Sequence, residues 1–140
     1  MALELRPLCT VTAATLPPIM VGEGSAGTRM VVPVGRVELT GERLRGVGEG
    51  GPAADWVLVG PGGIATIDVR FSFTTDDGAT IFVAYGGRMD PTPAREDRVI
   101  HVAPRFETGD PRYAWLNAVQ AVGRGHFTAA GVQYEWFEVM

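Results

Sequence analysis

The stretch that most constrains this chain runs over residues 64–78. Ile67, Val69, Phe71 and Phe73 alternate there with Thr66, Asp68, Arg70, Ser72 and Thr74. A period of two places the two sets on opposite faces of one extended strand, because successive strand side chains point to opposite sides. Asp76-Asp77-Gly78 follows at once, and Asp-Gly accepts the positive φ angles that a tight hairpin turn requires. Residues 79–85 then read as the returning strand. A chain committed to such a hairpin needs further strands to cover its apolar face and protect its edges.

Those strands are legible on both sides. Segments 8–14, 29–34, 35–40, 43–47, 55–59, 99–106, 125–128 and 132–139 are short, apolar and bounded by turn residues. The 19 glycines and 10 prolines fall between them as punctuation. Residues 22–27 read as a flexible connection after Pro17-Pro18. Residues 48–52 and 86–97 read as loops, and 60–63 as a turn. Segment 113–122 reads either as a strand or as a short helical turn leading into one, since Ala, Leu and Gln are good helix formers. About ten short strands with no long helical pattern predict an all-β chain, a single domain over 1–140. The expected architecture is a calycin-like antiparallel β-barrel of about eight to ten strands. At 140 residues such a domain can bury a core without disulfides or a structural metal.

Charge and composition exclude several functions. A net charge of −4 argues against nucleic acid as a partner, which would need a concentrated basic surface. All 12 basic residues are Arg, so neither a Schiff-base lysine nor a phosphate-loop lysine exists. Cys9 is the only cysteine and sits among apolar neighbours, where a thiol is ordinarily inert. Neither a basic start with an apolar leader nor an apolar run of ~20 residues occurs, so no membrane partner and a cytoplasmic location are expected. Cofactor motifs are absent as well. Gly46-Val47-Gly48-Glu49-Gly50-Gly51 lacks the Lys-Ser/Thr and the helix of a phosphate cradle. His101 and His126 stand alone, without metal-ligand spacing, and Ser25 and Ser72 lack a nucleophile elbow. No cofactor and no metal are expected.

What remains is a set of ionisable and aromatic residues inside apolar strands. Asp68 and Arg70 share one strand face, as do His101, Arg105 and Glu107. Tyr113, Trp115 and Asn117 form a third set, and Asp55-Trp56 adds a carboxylate beside a large ring. Facing inward, these would line a lumen able to hold one small ligand. Burial there raises a carboxyl pKa while an Arg stabilises an enolate or oxyanion. Facing outward, they are the ordinary solvated side of each strand. Periodicity alone leaves both arrangements open.

The blocks Asp55-Trp56, Ile67-Asp68-Val69-Arg70-Phe71, Asp76-Asp77-Gly78-Ala79-Thr80-Ile81, Phe106-Glu107-Thr108-Gly109-Asp110 and Trp115-Leu116-Asn117 resemble the domain-of-unknown-function family numbered 3237. The resemblance runs over about residues 5–139. It implies a compact antiparallel barrel, often a homo-oligomer, with relatives placed near natural-product and aromatic-compound pathways. It implies a shared polar set of Asp55, Trp56, Asp68, Arg70, Glu107, Trp115 and Asn117. His101 stands where the family pattern suggests Arg, and an imidazole can move protons near neutral pH where a guanidinium cannot.

The expected function is therefore a cofactor-independent isomerase, cyclase or lyase acting on a small carbonyl-containing or aromatic molecule. Asp68 or Glu107 would be the base and Arg70 or His101 the stabiliser of negative charge. Asp55, Trp56, Tyr113, Trp115 and Asn117 would shape the substrate site. A non-catalytic small-ligand binder and a protein-interaction module are the two alternatives.

Overall fold

The computed structural model describes all 140 residues, Met1–Met140. Ten strands form one antiparallel sheet: β1 (Leu5–Thr15), β2 (Ile19–Gly24), β3 (Gly27–Thr40), β4 (Gly46–Glu49), β5 (Ala54–Val59), β6 (Ala65–Thr75), β7 (Thr80–Met89), β8 (Ile100–Glu107), β9 (Ala121–Phe127) and β10 (Gly131–Val139). The order runs β1-β10-β9-β8-β7-β6-β4-β3, and β3 pairs back onto β1, with Val11 opposite Leu39. The sheet thus closes into a ring. β5 shares the place of β4 between β6 and β3, and β2 pairs with β3 alone. A ring of eight places is just wide enough inside to be filled by side chains or to hold one small ligand.

The β6–β7 hairpin forms as its alternation predicts, with Phe73 opposite Ile81 and Thr74 opposite Thr80. Its turn is pinned by Thr75, which is buried. The Thr75 hydroxyl donates to Asp77 Oδ1 at 2.6 Å and accepts from the Ala79 N–H at 2.8 Å. Gly78 supplies the left-handed φ of 94°.

Three expectations are corrected. The connection around residues 22–27 is largely strand: Ile19, Met20 and Val21 are apolar enough to pair with β3, and only Ser25-Ala26 turn between Gly24 and Gly27. The strand expected at 43–47 forms instead at Gly46–Glu49, because Leu44 turns into the core, where it is 1 % exposed. Segments 29–34 and 35–40 are one continuous strand, β3. Of the two readings of segment 113–122, the helical one forms: a 3₁₀ segment spans Pro111–Ala118 before β9 begins.

Aromatic rings fill one half of the ring, and glycines opposite them make the room. Trp136, 1 % exposed, meets Phe71, Tyr85, Phe106 and Tyr134 at ring-centroid distances of 5.6–6.5 Å. A Cβ at Gly123 would lie 2.5 Å from Trp136 Cδ1, and one at Gly46 would lie 2.9 Å from the Phe73 ring. A Cβ at Gly125 would collide with the Tyr134 ring. Gly46 and Gly48, in the segment that lacks a phosphate-cradle pattern, are thus packing glycines against Phe73. The 3₁₀ segment closes this end with Leu116, which is fully buried. Asn117 fastens it to the chain after β8, accepting from Thr108 N at 2.9 Å and donating to Thr108 O at 3.0 Å.

Candidate functional site at the open end of the ring

Beyond the aromatic layer the inward face is only partly covered. Met30, Val32, Val59, Met89 and Phe127 are half-buried and pack against the core. One carboxylate lies among them. Register places Asp55 between Val32 of β3 and Val69 of β6, and Val69 is in turn opposite Tyr85 of β7. Residues directly opposite one another share a face, and Val69 and Tyr85 are core residues. Asp55 is therefore on the inward face.

Its position is fixed by a hydrogen bond across the β5–β6 pair, whose register is unbroken from Ala54–Arg70 to Val59–Ala65: Asp55 Oδ1 accepts the Asp68 backbone N–H at 2.9 Å. Burial pushes the Asp55 carboxyl up from 3.8 to about 6. The Asp68 N–H bond pulls the other way, and the Asp68 carboxylate adds a further upward push. Two phenols lie on the same inward surface. Tyr85 and Tyr134 stand edge-to-face at 5.6 Å between centroids. Burial raises both hydroxyls above their ordinary range, and the Asp55 charge acts in the same direction. They are thus neutral donors at physiological pH. Trp136 Nε1 is a buried donor with no hydrogen-bond partner. The arrangement is one base of near-neutral pKa above a wall of neutral donors and aromatic rings, the combination that acid–base chemistry on a small molecule requires.

Most of the residues expected from sequence to line the lumen lie elsewhere. On β6 the inward positions go to Ile67, Val69, Phe71 and Phe73, which turns Asp68 and Arg70 outward. On β8, Ile100, Val102 and Phe106 are buried, and His101, Arg105 and Glu107 are exposed. Apolar side chains claim the core at each strand, so the polar face is the outer one. Trp56, next to Asp55, also faces out, with the Arg70 guanidinium 5.7 Å from its ring. Tyr113, Trp115 and Asn117 belong to the closed end. The Tyr113 hydroxyl donates to Asp77 Oδ1 at 2.9 Å, and Arg43 stacks 5.0 Å from the Trp115 ring. Asp55 alone of the expected set faces the lumen. Tyr85 and Tyr134 escaped the sequence reading, although parity could have found them: Tyr85 continues the Ile81-Val83 face, and Tyr134 lies between Val132 and Trp136.

Burial pushes the Cys9 thiol up to about 12, so it is no nucleophile. No three His, Cys, Asp or Glu side chains gather as a metal site. No helix is long and apolar enough to cross a membrane.

Fold and site together define a ring-closed, barrel-like all-β protein with one inward carboxylate set among half-buried apolar side chains. The chain belongs to the protein family of unknown function DUF3237, whose model matches residues 3–139. It is 32 % identical over 134 residues to the UPF0311 protein RPA1785 of Rhodopseudomonas palustris, covering 86 % of each chain. A β-barrel-like protein from Acinetobacter baumannii superposes with a TM-score of 0.90 at 27 % identity, over 100 % of this chain and 98 % of the other. A protein described as an enzyme from Penicillium herquei superposes with a TM-score of 0.81 over 100 % and 96 % of the two chains. At 21 % identity this last likeness concerns the fold alone.

Proposed function

We propose that this protein is a cofactor-independent enzyme that performs acid–base chemistry on a small carbonyl-containing or aromatic molecule held at the open end of the ring. The observation that carries the reading is Asp55: a carboxylate on the inward face, raised to about 6, beside two neutral phenols. In the proposed step Asp55 takes a proton from the carbon next to a carbonyl. The electron pair of that C–H bond moves onto the carbonyl oxygen, which accepts a hydrogen bond from Tyr85 or Tyr134. Return of the proton at another carbon is an isomerisation. Addition of the enolate to an internal electrophile is a cyclisation, and loss of a β-substituent is a lyase reaction. A base with a pKa near 6 can both take and return a proton near neutral pH. The existence of an enzyme on this fold in Penicillium herquei is in keeping with the reading.

The test is hydrogen exchange in deuterium oxide, followed by proton NMR, over a panel of enolisable aryl ketones. Catalysed exchange is expected with the native protein. It should fall at least about 100-fold in Asp55→Asn, within the range of general-base contributions, and persist in Asp68→Asn and Glu107→Gln. Exchange that survives in Asp55→Asn refutes the assignment. Binding without exchange across the panel favours the second reading, a small-ligand carrier, which the apolar half-buried rim of Met30, Val32 and Met89 supports. A homo-oligomer is a further proposal, supported by Ile19, Met20 and Val21, each more than half exposed on the free edge of β2. Light scattering that gives a monomer mass would exclude it.

A further inference from the structure

We propose that the open-end site selects an uncharged ligand and rejects anions, with Asp55 as the residue that enforces the choice. The inference rests on the reading of this site as a small-molecule site and adds the charge class of what it takes. Its basis is the distribution of charge between the two faces of the ring. Four charged side chains fall on inward register positions. Asp55 is one, and Glu23, opposite Thr28, is a second acid, exposed on β2. Glu138, opposite Ala121, and Arg6, opposite Glu138, lie at the closed end beyond the aromatic layer, where Glu138 is paired with Arg43 at 2.8 Å. No cation is among the influences on Asp55; the one neighbouring charge that acts on it is the Asp68 carboxylate.

The chain has 12 arginines, yet away from the closed end the strands turn them outward, as on β6 and β9, where Arg70 and Arg124 are exposed while their neighbours are buried. Arg29 and Arg70 engage the backbone and outer ring face of Trp56, and on the rim side the Arg95 guanidinium stacks 3.9 Å from the Phe127 ring. Arg95 is exposed and shares its turn with Glu96 and Asp97, so water and local acids screen it. A carboxylate, sulfonate or phosphate entering this site would meet a like charge in partly dry surroundings with no cation to offset it. Such a group is rejected more strongly here than in water, because the effective dielectric is lower. An uncharged ring system would instead meet neutral donors and aromatic and thioether surface. At the depth of Asp55 no cation stands by to neutralise a ligand's negative charge.

The experiment uses two fluorescent probes that share one ring frame and differ by a single sulfonate: neutral N-phenyl-1-naphthylamine and anionic 8-anilino-1-naphthalenesulfonate. Both brighten on leaving water. At pH 8 the neutral probe is expected to bind the native protein at least tenfold more tightly than the sulfonate. Asp55→Asn should tighten sulfonate binding at least tenfold while changing the neutral probe's Kd by less than about threefold. Val32→Trp, which fills the rim opposite Asp55, should weaken the neutral probe; circular dichroism confirms that the variant is folded. Equal binding of the two probes in the native protein, or sulfonate binding unaltered by Asp55→Asn, overturns the charge rule alone. Neutral-probe binding that is absent or indifferent to Val32→Trp removes the small-molecule reading of the site, and the charge rule falls with it.

Discussion

Replacing Asp55 by Asn should make the protein more stable at pH 8 and leave it nearly unchanged at pH 4. The carboxyl is raised from 3.8 to about 6 chiefly by burial, so the folded chain holds this proton more tightly than the unfolded chain. Between those two values the folded state binds more protons, and stability falls as the pH rises through that window. Moving a carboxyl from 3.8 to about 6 corresponds to about 3 kcal/mol, of which only about 0.5 kcal/mol is present at pH 4 and nearly all above pH 7. Asn keeps an oxygen at Oδ1 to accept the Asp68 N–H and removes the charge, so this cost disappears without breaking the bond. For a chain of this size about 3 kcal/mol translates into roughly 6–12 °C in Tm. Thermal unfolding followed by circular dichroism at pH 4, 6 and 8 measures it directly. The two proteins should lie within about 2 °C of each other at pH 4 and separate progressively up to pH 7, with the variant higher. A variant that is less stable at pH 8, or a gap of the same size at pH 4 and pH 8, would refute the placement of Asp55 in a partly dry interior.

Other perturbations probe the frame around that carboxylate. Gly123→Ala drives a Cβ against Trp136 in a packed layer and should cost about 1–3 kcal/mol, read as a lowered midpoint in urea; an unchanged midpoint would mean that the Trp136 ring is not held there. Thr75→Val leaves the Ala79 N–H without its hydroxyl partner and should cost about 1–3 kcal/mol in the same assay, with loss below about 0.5 kcal/mol counting against the turn as described. Combining Arg70→Ala, His101→Gln and Glu107→Gln touches only the outer face. The combined variant should keep both the native Tm, to within a few degrees, and native binding of a neutral probe; loss of binding with the fold intact would return those residues to the site.

How much of this was legible in the sequence differs between fold and site. The β6–β7 hairpin was readable because alternation, turn chemistry and length agree over residues 64–85, and the count of short strands around it pointed to an antiparallel barrel. Where the pattern was weak, the reading slipped. Ile19-Met20-Val21 is too short and too close to Pro17-Pro18 to announce β2, and Leu44 leaves its strand because a core end needs filling. The site was harder, since period-two alternation separates two faces without saying which is inside. The apolar set of β6 decides that question once the ring closes, and it sends Asp68 and Arg70 outward. Asp55 behaves differently because it shares the inward face of Val57 and Val59 on a strand of only six residues, too short for alternation to stand out in the sequence. Tyr85 and Tyr134 read as core by composition, and only their closeness to Asp55 gives their hydroxyls chemical meaning.

The most direct test of the account is the titration of Asp55 itself, by carbon-detected NMR of the aspartate carboxyl signals from pH 3 to pH 8. Assignment comes from the resonance that vanishes in Asp55→Asn. The account predicts a midpoint near 6, well above its ordinary 3.8. A midpoint near 4, the value of a carboxylate bathed in water, would contradict it and leave the ring without an inward base.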